Sequence, residues 1–168
     1  MIISEFYGKV RGLIKHPEAS WIVDDVYRGV ATSKQKSIML REWYGPEFAL
    51  FKAEQGPDTT SKLSEILGKA PEKRTPIMRY LHDLINQMVQ KKTTGFTMLH
   101  DAMLQYMLNI KPDSEDMSAF IELLKGDEEG DLLQNLAFTR SGSRVVCLAL
   151  AHGSAKVCLG ASTESNPC

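Results

Sequence analysis

The amino-acid sequence predicts an all-α protein assembled as a solenoid of stacked helical repeats. Three observations carry that prediction. First, residues 16–30 (HPEASWIVDDVYRGV), 92–104 (KTTGFTMLHDAML) and 139–153 (TRSGSRVVCLALAHG) fit one template. Each has a breaker-rich lead-in, then a helix with a pair of apolar residues at its start: Ile22-Val23, Met98-Leu99 and Val145-Val146. Aligning on those pairs matches Ser20 with Phe96 and Ser143. Self-similarity at intervals of about 20–50 residues is the mark of stacked architectures. Second, apolar residues recur at helical spacing along most of the chain, as in Ile77, Leu81, Leu84-Ile85 and Met88. Third, no stretch alternates well enough to form a strand.

Taken in order, residues 4–15 space Phe6, Val10 and Leu13-Ile14 as one helix, which His16-Pro17 breaks. Proline suits the first turn of a helix and not its interior, so a new helix starts near Glu18. It presents Ile22, Val23, Val26, Tyr27 and Val30. Thr32 or Ser33 caps a third helix carrying Ile38, Met39, Leu40 and Trp43, which Gly45-Pro46 ends. Residues 46–60 are less regular, with a loop at Gln55-Gly56-Pro57-Asp58. A short helix covers 61–69. Pro71 opens a long one that runs to about Gln90, with Pro76 near its first turn. A turn at 91–95 precedes a helix over 96–108, and Lys111-Pro112-Asp113 is the next loop. Helices follow at about 115–125, 129–138 and 142–152, with Gly153 as a stop.

The chain has 168 residues, 43% hydrophobic and 24% charged, with a net charge of −1. That is not the basic balance of a protein that grips phosphate over its whole surface. The charge is uneven. Residues 1–44 carry a slight basic excess, and residues 111–131 set eight acids against Lys111 and Lys125. The run Asp127-Glu128-Glu129-Asp131 suits a helix start or a solvated face. Three cysteines without a CxxC pair, Cys147, Cys158 and Cys168, fit a reducing compartment. No apolar run reaches the length of a membrane span, and Met1-Ile2-Ile3 is too short for a signal peptide.

An enzyme is not expected. The dipeptides His82-Asp83 and His100-Asp101 lack the further converging ligands of a metal phosphohydrolase. Cys147 and His152 do not share a helix face. No Gly-rich phosphate loop is present. No cofactor, metal or small-molecule substrate is therefore predicted.

Several stretches resemble a known family. KVRGLIKHPEASWIVDD, LREWYGPEFALFK, APEKRTPIMRYL and AFTRSGSRVVCLALAHGSAK are similar, in this order, to the Pumilio-type (Puf) repeat array. They come closest to its divergent nucleolar branch, the Penguin or Puf-A proteins. The resemblance covers about residues 5–156 and implies a right-handed α-solenoid of armadillo-type repeats, truncated relative to the longer family chain. After Lys156 the sequence VCLGASTESNPC resembles nothing in the family, so residues 157–168 are expected to form a divergent, disordered tail. An array cut at both ends is expected to expose apolar faces and to self-associate.

In Puf repeats the second helix lines a concave surface, and its first, second and fifth template positions meet a nucleotide. The resemblance thus assigns Ser20, Trp21 and Asp24 in the first unit; Phe96, Thr97 and His100 in the second; and Ser143, Arg144 and Cys147 in the third. Trp21, Asp24, Asp25 and Arg28 share a stripe, because residues three and four apart share a helix face. Trp21 is then either a platform for base stacking or a packing group against the next repeat. Arg144 either stacks or meets phosphate, or pairs with an acid in 127–131. Phe96 reads as packing. The fifth-position residues supply poor edge-reading pairs, so backbone recognition is expected through Lys9, Arg11, Lys15, Arg28, Lys91, Lys92, Arg140 and Arg144. The resemblance implies a nuclear, nucleolar protein that binds single- or double-stranded RNA with weak sequence preference. It also implies work in large-subunit ribosome biogenesis beside pre-ribosomal proteins, and translational regulation. The rival is a HEAT- or armadillo-type scaffold for protein–protein interaction.

Overall fold

The structure is a computed structural model that describes residues 2–50, 60–126 and 131–161. Its α-helices are α1 (Val10–Leu13), α2 (Ala19–Asp25), α3 (Ser33–Arg41), α4 (Pro46–Leu50), α5 (Leu63–Lys69), α6 (Arg74–Gln90), α7 (Thr97–Asn109), α8 (Glu115–Lys125), α9 (Asp131–Ala137) and α10 (Arg140–Ala161). Single 3-10 turns cover Ile2–Phe6, Glu42–Tyr44 and Pro71–Lys73, and a π-turn over Val26–Val30 extends α2. Among the described residues there is no strand.

Local chemistry explains most of these boundaries. Thr32 accepts from the Gln35 backbone N–H while the Gln35 side chain accepts from the Thr32 N–H, a reciprocal capping box that starts α3. The Ser114 hydroxyl accepts from Met117 N–H at 3.2 Å and starts α8. Pro76 falls in the first turn of α6, where its missing N–H costs no intrahelical bond. α6 buries Ile77, Leu81, Leu84, Ile85 and Met88 on one face. α7 buries residues on several sides, including Met98, Leu99, Met103 and Met107, as a largely buried helix does. It sits in the middle of the molecule against α3, α5, α6 and α10. Each of its buried Leu and Met side chains contributes about 1.5–3 kcal/mol relative to exposure. Trp43 is fully buried and donates its indole N–H to Met98 Sδ at 3.0 Å, tying the 3-10 turn after α3 to α7.

The structure corrects three expectations. The single helix over 4–15 is divided: Gly8 adopts φ +83, a left-handed conformation that favours glycine, and interrupts it. Gly153 does not stop α10, which runs to Ala161. Glycine is a weak helix former, costing about 1 kcal/mol against alanine, and ends a helix only where other features require it. Residues 157–161, assigned to the divergent tail, continue α10, while 162–168 lie outside the described residues. The loop expected at 55–58 also lies outside them, as do residues 127–130 of the acidic run.

The α9–α10 junction depends on one glycine. A Cβ at Gly142 would lie 2.3 Å from the Leu136 carbonyl oxygen, against rigid backbone. Gly142→Ala should therefore cost at least about 1–3 kcal/mol, the range for forcing atoms into packed space. Chemical denaturation of the two proteins measures it; equal stability would show that α9 moves away without penalty.

Candidate nucleic-acid interface

The three template helices lie side by side and run in the same direction. Contacts between them rise together in residue number. From α2 to α7, Trp21 meets Phe96, Asp24 meets Thr97 and Met98, and Tyr27 meets Asp101. From the α7 unit to the α10 unit, Thr94 meets Asn135, His100 meets Thr139, and Asp101 meets Ser141. The starts of α2, α7 and α10 therefore line one edge of the stack.

In the first two units the template's first and fifth positions are consumed in holding this stack. Ser20 is 1% exposed, and its hydroxyl donates to Pro17 O. Asp24 is 4% exposed. Its two carboxylate oxygens accept from the backbone N–H groups of Thr97 (3.1 Å) and Met98 (3.0 Å). A helix start has four N–H groups without an intrahelical partner, so Asp24 caps α7 from the neighbouring unit. His100 is 1% exposed and does the equivalent for α10 at one remove. Its Nε2 donates to Thr94 O at 2.7 Å, which leaves Nδ1 to accept from the Thr139 hydroxyl at 2.8 Å. Thr139 Oγ1 in turn accepts from Gly142 N–H at 3.0 Å.

Ser20, Asp24 and His100 are thus corrected from nucleotide contacts to packing and capping groups. A buried, hydrogen-bonded side chain cannot also present its edge to a base. Phe96 is buried, as its apolar character implies, and forms the N-cap position of α7.

Second-position residues are the ones left outside. Trp21 is 60% exposed and stands edge-on against Phe96, with ring centroids 4.9 Å apart at 88°. It packs against Phe96 and also leaves aromatic surface open to solvent. Thr97 is half-buried beneath its capped N–H, and Arg144 is exposed. Arg28 is exposed and pairs with Asp25 at 2.8 Å. Arg140 is exposed, and Ser143 is half-buried with its hydroxyl donating to Arg140 O. Cys147 is exposed. Lys91 and Lys92 are exposed in the turn before α7, and Lys91 Nζ donates to Lys15 O at 3.1 Å. That contact brings the lead-in turns of two repeats together. Arg11 is drawn inward: it donates to Trp43 O and Tyr80 O, lies over the Tyr80 ring, and its pKa is lowered by burial. It serves packing, not phosphate. Lys9 is exposed.

Three structural residues were not singled out from sequence. Asp101 accepts from Tyr27 Oη at 2.6 Å and, by a short bond, from Ser141 Oγ. Glu42, 2% exposed, accepts from Gly8 N–H and Val10 N–H and so supports the start of α1. Gln105 Oε1 accepts from Leu63 N–H at the start of α5. Asp101 matches Asp25 in the template, which was the available signal; the other two partners are remote in sequence. Among the described residues no three His, Cys, Asp or Glu side chains converge as a metal site, and no helix is long and apolar enough to cross a membrane.

The capping roles make two predictions. Asp24→Ala should lose about 1–3 kcal/mol by stranding two buried N–H groups, whereas Asp24→Asn should retain part of the cap; thermal melts without any ligand separate them. The pH dependence of His100 follows from its burial, which lowers its pKa against smaller opposing effects of Thr94, Asp24 and Asp101. The unfolded chain then binds the proton more readily, so the stabilisation is complete above the ordinary imidazole value and declines as pH falls through it. Asp24 acts oppositely: burial raises its carboxyl pKa, so its contribution is greatest at acid pH and is lost as pH rises through the raised value. Between about pH 7 and about pH 5, His100→Gln should flatten the loss of stability seen in the parent chain. An unchanged slope would show that His100 takes up its proton without penalty when folded.

Comparison with known proteins agrees with this geometry. No family model matches the chain. The chain is 34% identical over 146 residues to Pumilio homology domain family member 6 of Schizosaccharomyces pombe, covering 86% of this chain and 21% of that protein. It is 30% identical over 156 residues to human Pumilio homolog 3, covering 92% of this chain and 22% of that protein. The chain thus spans about a fifth of the length of these relatives. The crystal structure of human Puf-A superposes with a TM-score of 0.68 at 30% identity, covering 90% of this chain and 28% of that one. A structure of human Puf-A in complex with DNA matches equally well. The chain belongs to the Puf-A type of the Pumilio family, as a stretch of its all-α helical-repeat solenoid.

Proposed function

We propose that this chain binds RNA, single- or double-stranded, along the edge formed by the starts of α2, α7 and α10, with little sequence preference. The observation that carries the reading is Trp21, an aromatic ring left 60% exposed at that edge. Arg28, Lys91, Lys92, Arg140 and Arg144 are exposed on or beside the same three helices and supply charge for the phosphate backbone. Thr97 and Ser143 are half-buried and add hydroxyls at the α7 and α10 starts. Burial of Ser20, Asp24, Phe96 and His100 removes the edge-reading pairs in two of three units, which supports shape and backbone recognition over base reading. The DNA complex of human Puf-A supports a nucleic-acid ligand. On the family resemblance we assign the work to the nucleolus, in large-subunit ribosome biogenesis beside pre-ribosomal proteins, and to translational regulation. A tagged chain that stays out of the nucleolus would contradict that assignment.

A second reading rests on a separate observation. Phe138 is 80% exposed, and Leu133 and Leu150 are also exposed, an apolar set on α9, α10 and their junction. Such residues favour a protein-interaction scaffold. Salt dependence separates the readings, because log affinity for a polyanion falls linearly with log salt. Unrelated single strands and a duplex titrated at two salt concentrations should bind with similar affinity and weaken together as salt rises. Trp21→Ala should weaken single-strand binding by about five- to a hundredfold, the equivalent of roughly 1–3 kcal/mol per stacked base, with an unchanged circular dichroism spectrum. Failure to bind at low salt would favour the scaffold reading.

A further inference from the structure

A cleft of about 390 Å³ opens on the other side of α7, among α6, the C-terminal end of α7 and the start of α8. Tyr106, which lines it, and Thr97, at the interface edge, lie on opposite sides of α7, about 180° apart at 3.6 residues per turn. A strand bound across Trp21 and Thr97 therefore does not explain this cleft.

Its lining divides into two kinds. Arg74, Arg79 and Lys111 are basic side chains that line the cleft together with Asp116. Arg74 Nη2 makes a short bond to Asn109 O, which satisfies a carbonyl at the end of α7 and fixes the guanidinium at the cleft. The side chains of Arg79 and Lys111 are exposed and make no hydrogen bond or ion pair among the described residues, while the Lys111 carbonyl accepts from Ser114. Half-buried Met78, with the edges of the buried Ile110 and Tyr106 side chains, supplies a narrow apolar wall. The Tyr106 hydroxyl makes no hydrogen bond among the described residues. Its pKa is pushed up to about 12, by burial first and then by Asp116 and Asp83, so it remains a donor at neutral pH.

We propose that this cleft binds a phosphate monoester attached to a planar group of nucleotide size. Arg79 and Lys111, with Arg74 behind them, meet the phosphate, and the apolar wall covers the ring. Guanidinium groups suit phosphate because their donors are forked and their charge is permanent. Asp116 is placed to accept from hydroxyl or amino groups on the rest of the ligand. The volume suits a mononucleotide and falls in the usual range for small-ligand pockets, about 300–1,000 Å³. An apolar wall has no use for a bare carboxylate or for a strand held by its backbone alone. The same chemistry is offered by a free nucleotide and by the 5′-phosphorylated end of a nucleic acid.

Calorimetric titration of the full chain with adenosine 5′-monophosphate and with adenosine tests the idea. The monophosphate should bind at least about tenfold more tightly, since a charged hydrogen bond contributes about 1.5–3 kcal/mol. Arg79→Ala combined with Lys111→Ala should erase that preference without changing the melting temperature, because both side chains are exposed. Trp21→Ala should leave it intact, which keeps this site separable from the proposed RNA edge. A further pair of ligands is an oligonucleotide with a 5′-phosphate and the same strand with a 5′-hydroxyl. A preference for the phosphorylated strand that the double variant loses identifies a nucleic-acid end; tight monophosphate binding without that preference identifies a free nucleotide. Equal affinity for adenosine and its monophosphate, no binding of either, or a double variant that binds the monophosphate like the parent chain would overturn the proposal.

Discussion

Helix starts bring backbone N–H groups without intrahelical partners, and at α1, α5 and α7 of this molecule partners come from elsewhere in the stack. Asp24 caps α7, Glu42 holds the start of α1, and Gln105 accepts from the first N–H of α5. His100 orients Thr139, which accepts from Gly142 at the start of α10. Apart from the local bond of Gly142 to Thr139, each closes a contact between segments distant in sequence. A unit of this array cannot complete its own hydrogen bonding, as it cannot bury its own apolar face, and the two requirements reinforce one another. The buried polar side chains follow from that constraint: Asp24, Glu42 and His100 are tolerated inside because each faces backbone groups or a hydroxyl that would otherwise be stranded.

The same constraint shapes function. In the first two units the first and fifth template positions point into the joint between neighbours. With Asp24 and His100 committed to that joint, neither side chain presents an edge to solvent. What remains at the surface is an aromatic face at Trp21 and scattered cations, groups that favour stacking and phosphate over base identity. The exchange is consistent within the chain, since the third unit, with Ser143 half-buried and Cys147 exposed, is also the one whose fifth position caps nothing among the described residues.

α7 links the two surfaces of interest. It is packed from several sides: Thr97, Asp101 and Gln105 are half-buried toward one face, whereas Tyr106 and Asn109, which line the cleft on the other, are buried. A central helix packed on several sides fixes both faces relative to one another, so the proposed strand-binding edge and the proposed anion cleft use different side chains.

Periodicity and breakers made the helical array legible from the residues alone. The apolar spacing of α6, the Thr32–Gln35 cap, Pro76 in a first turn and the three-fold template all act over a few residues, and local sequence determines such features. The family resemblance was legible for the same reason, since it rests on ordered short motifs. What the residues could not disclose was which side of a polar helix position faces a neighbour. Asp24 and Arg28 look alike on a helical wheel, yet one is buried against N–H groups of α7, remote along the chain, and the other is in water. The break at Gly8 depends on Glu42, and the cleft of Arg79 and Lys111 on the approach of α6 to α8. Those outcomes are set by the stagger between stacked units, a long-range quantity on which no local pattern bears, and so only the tertiary structure decided them.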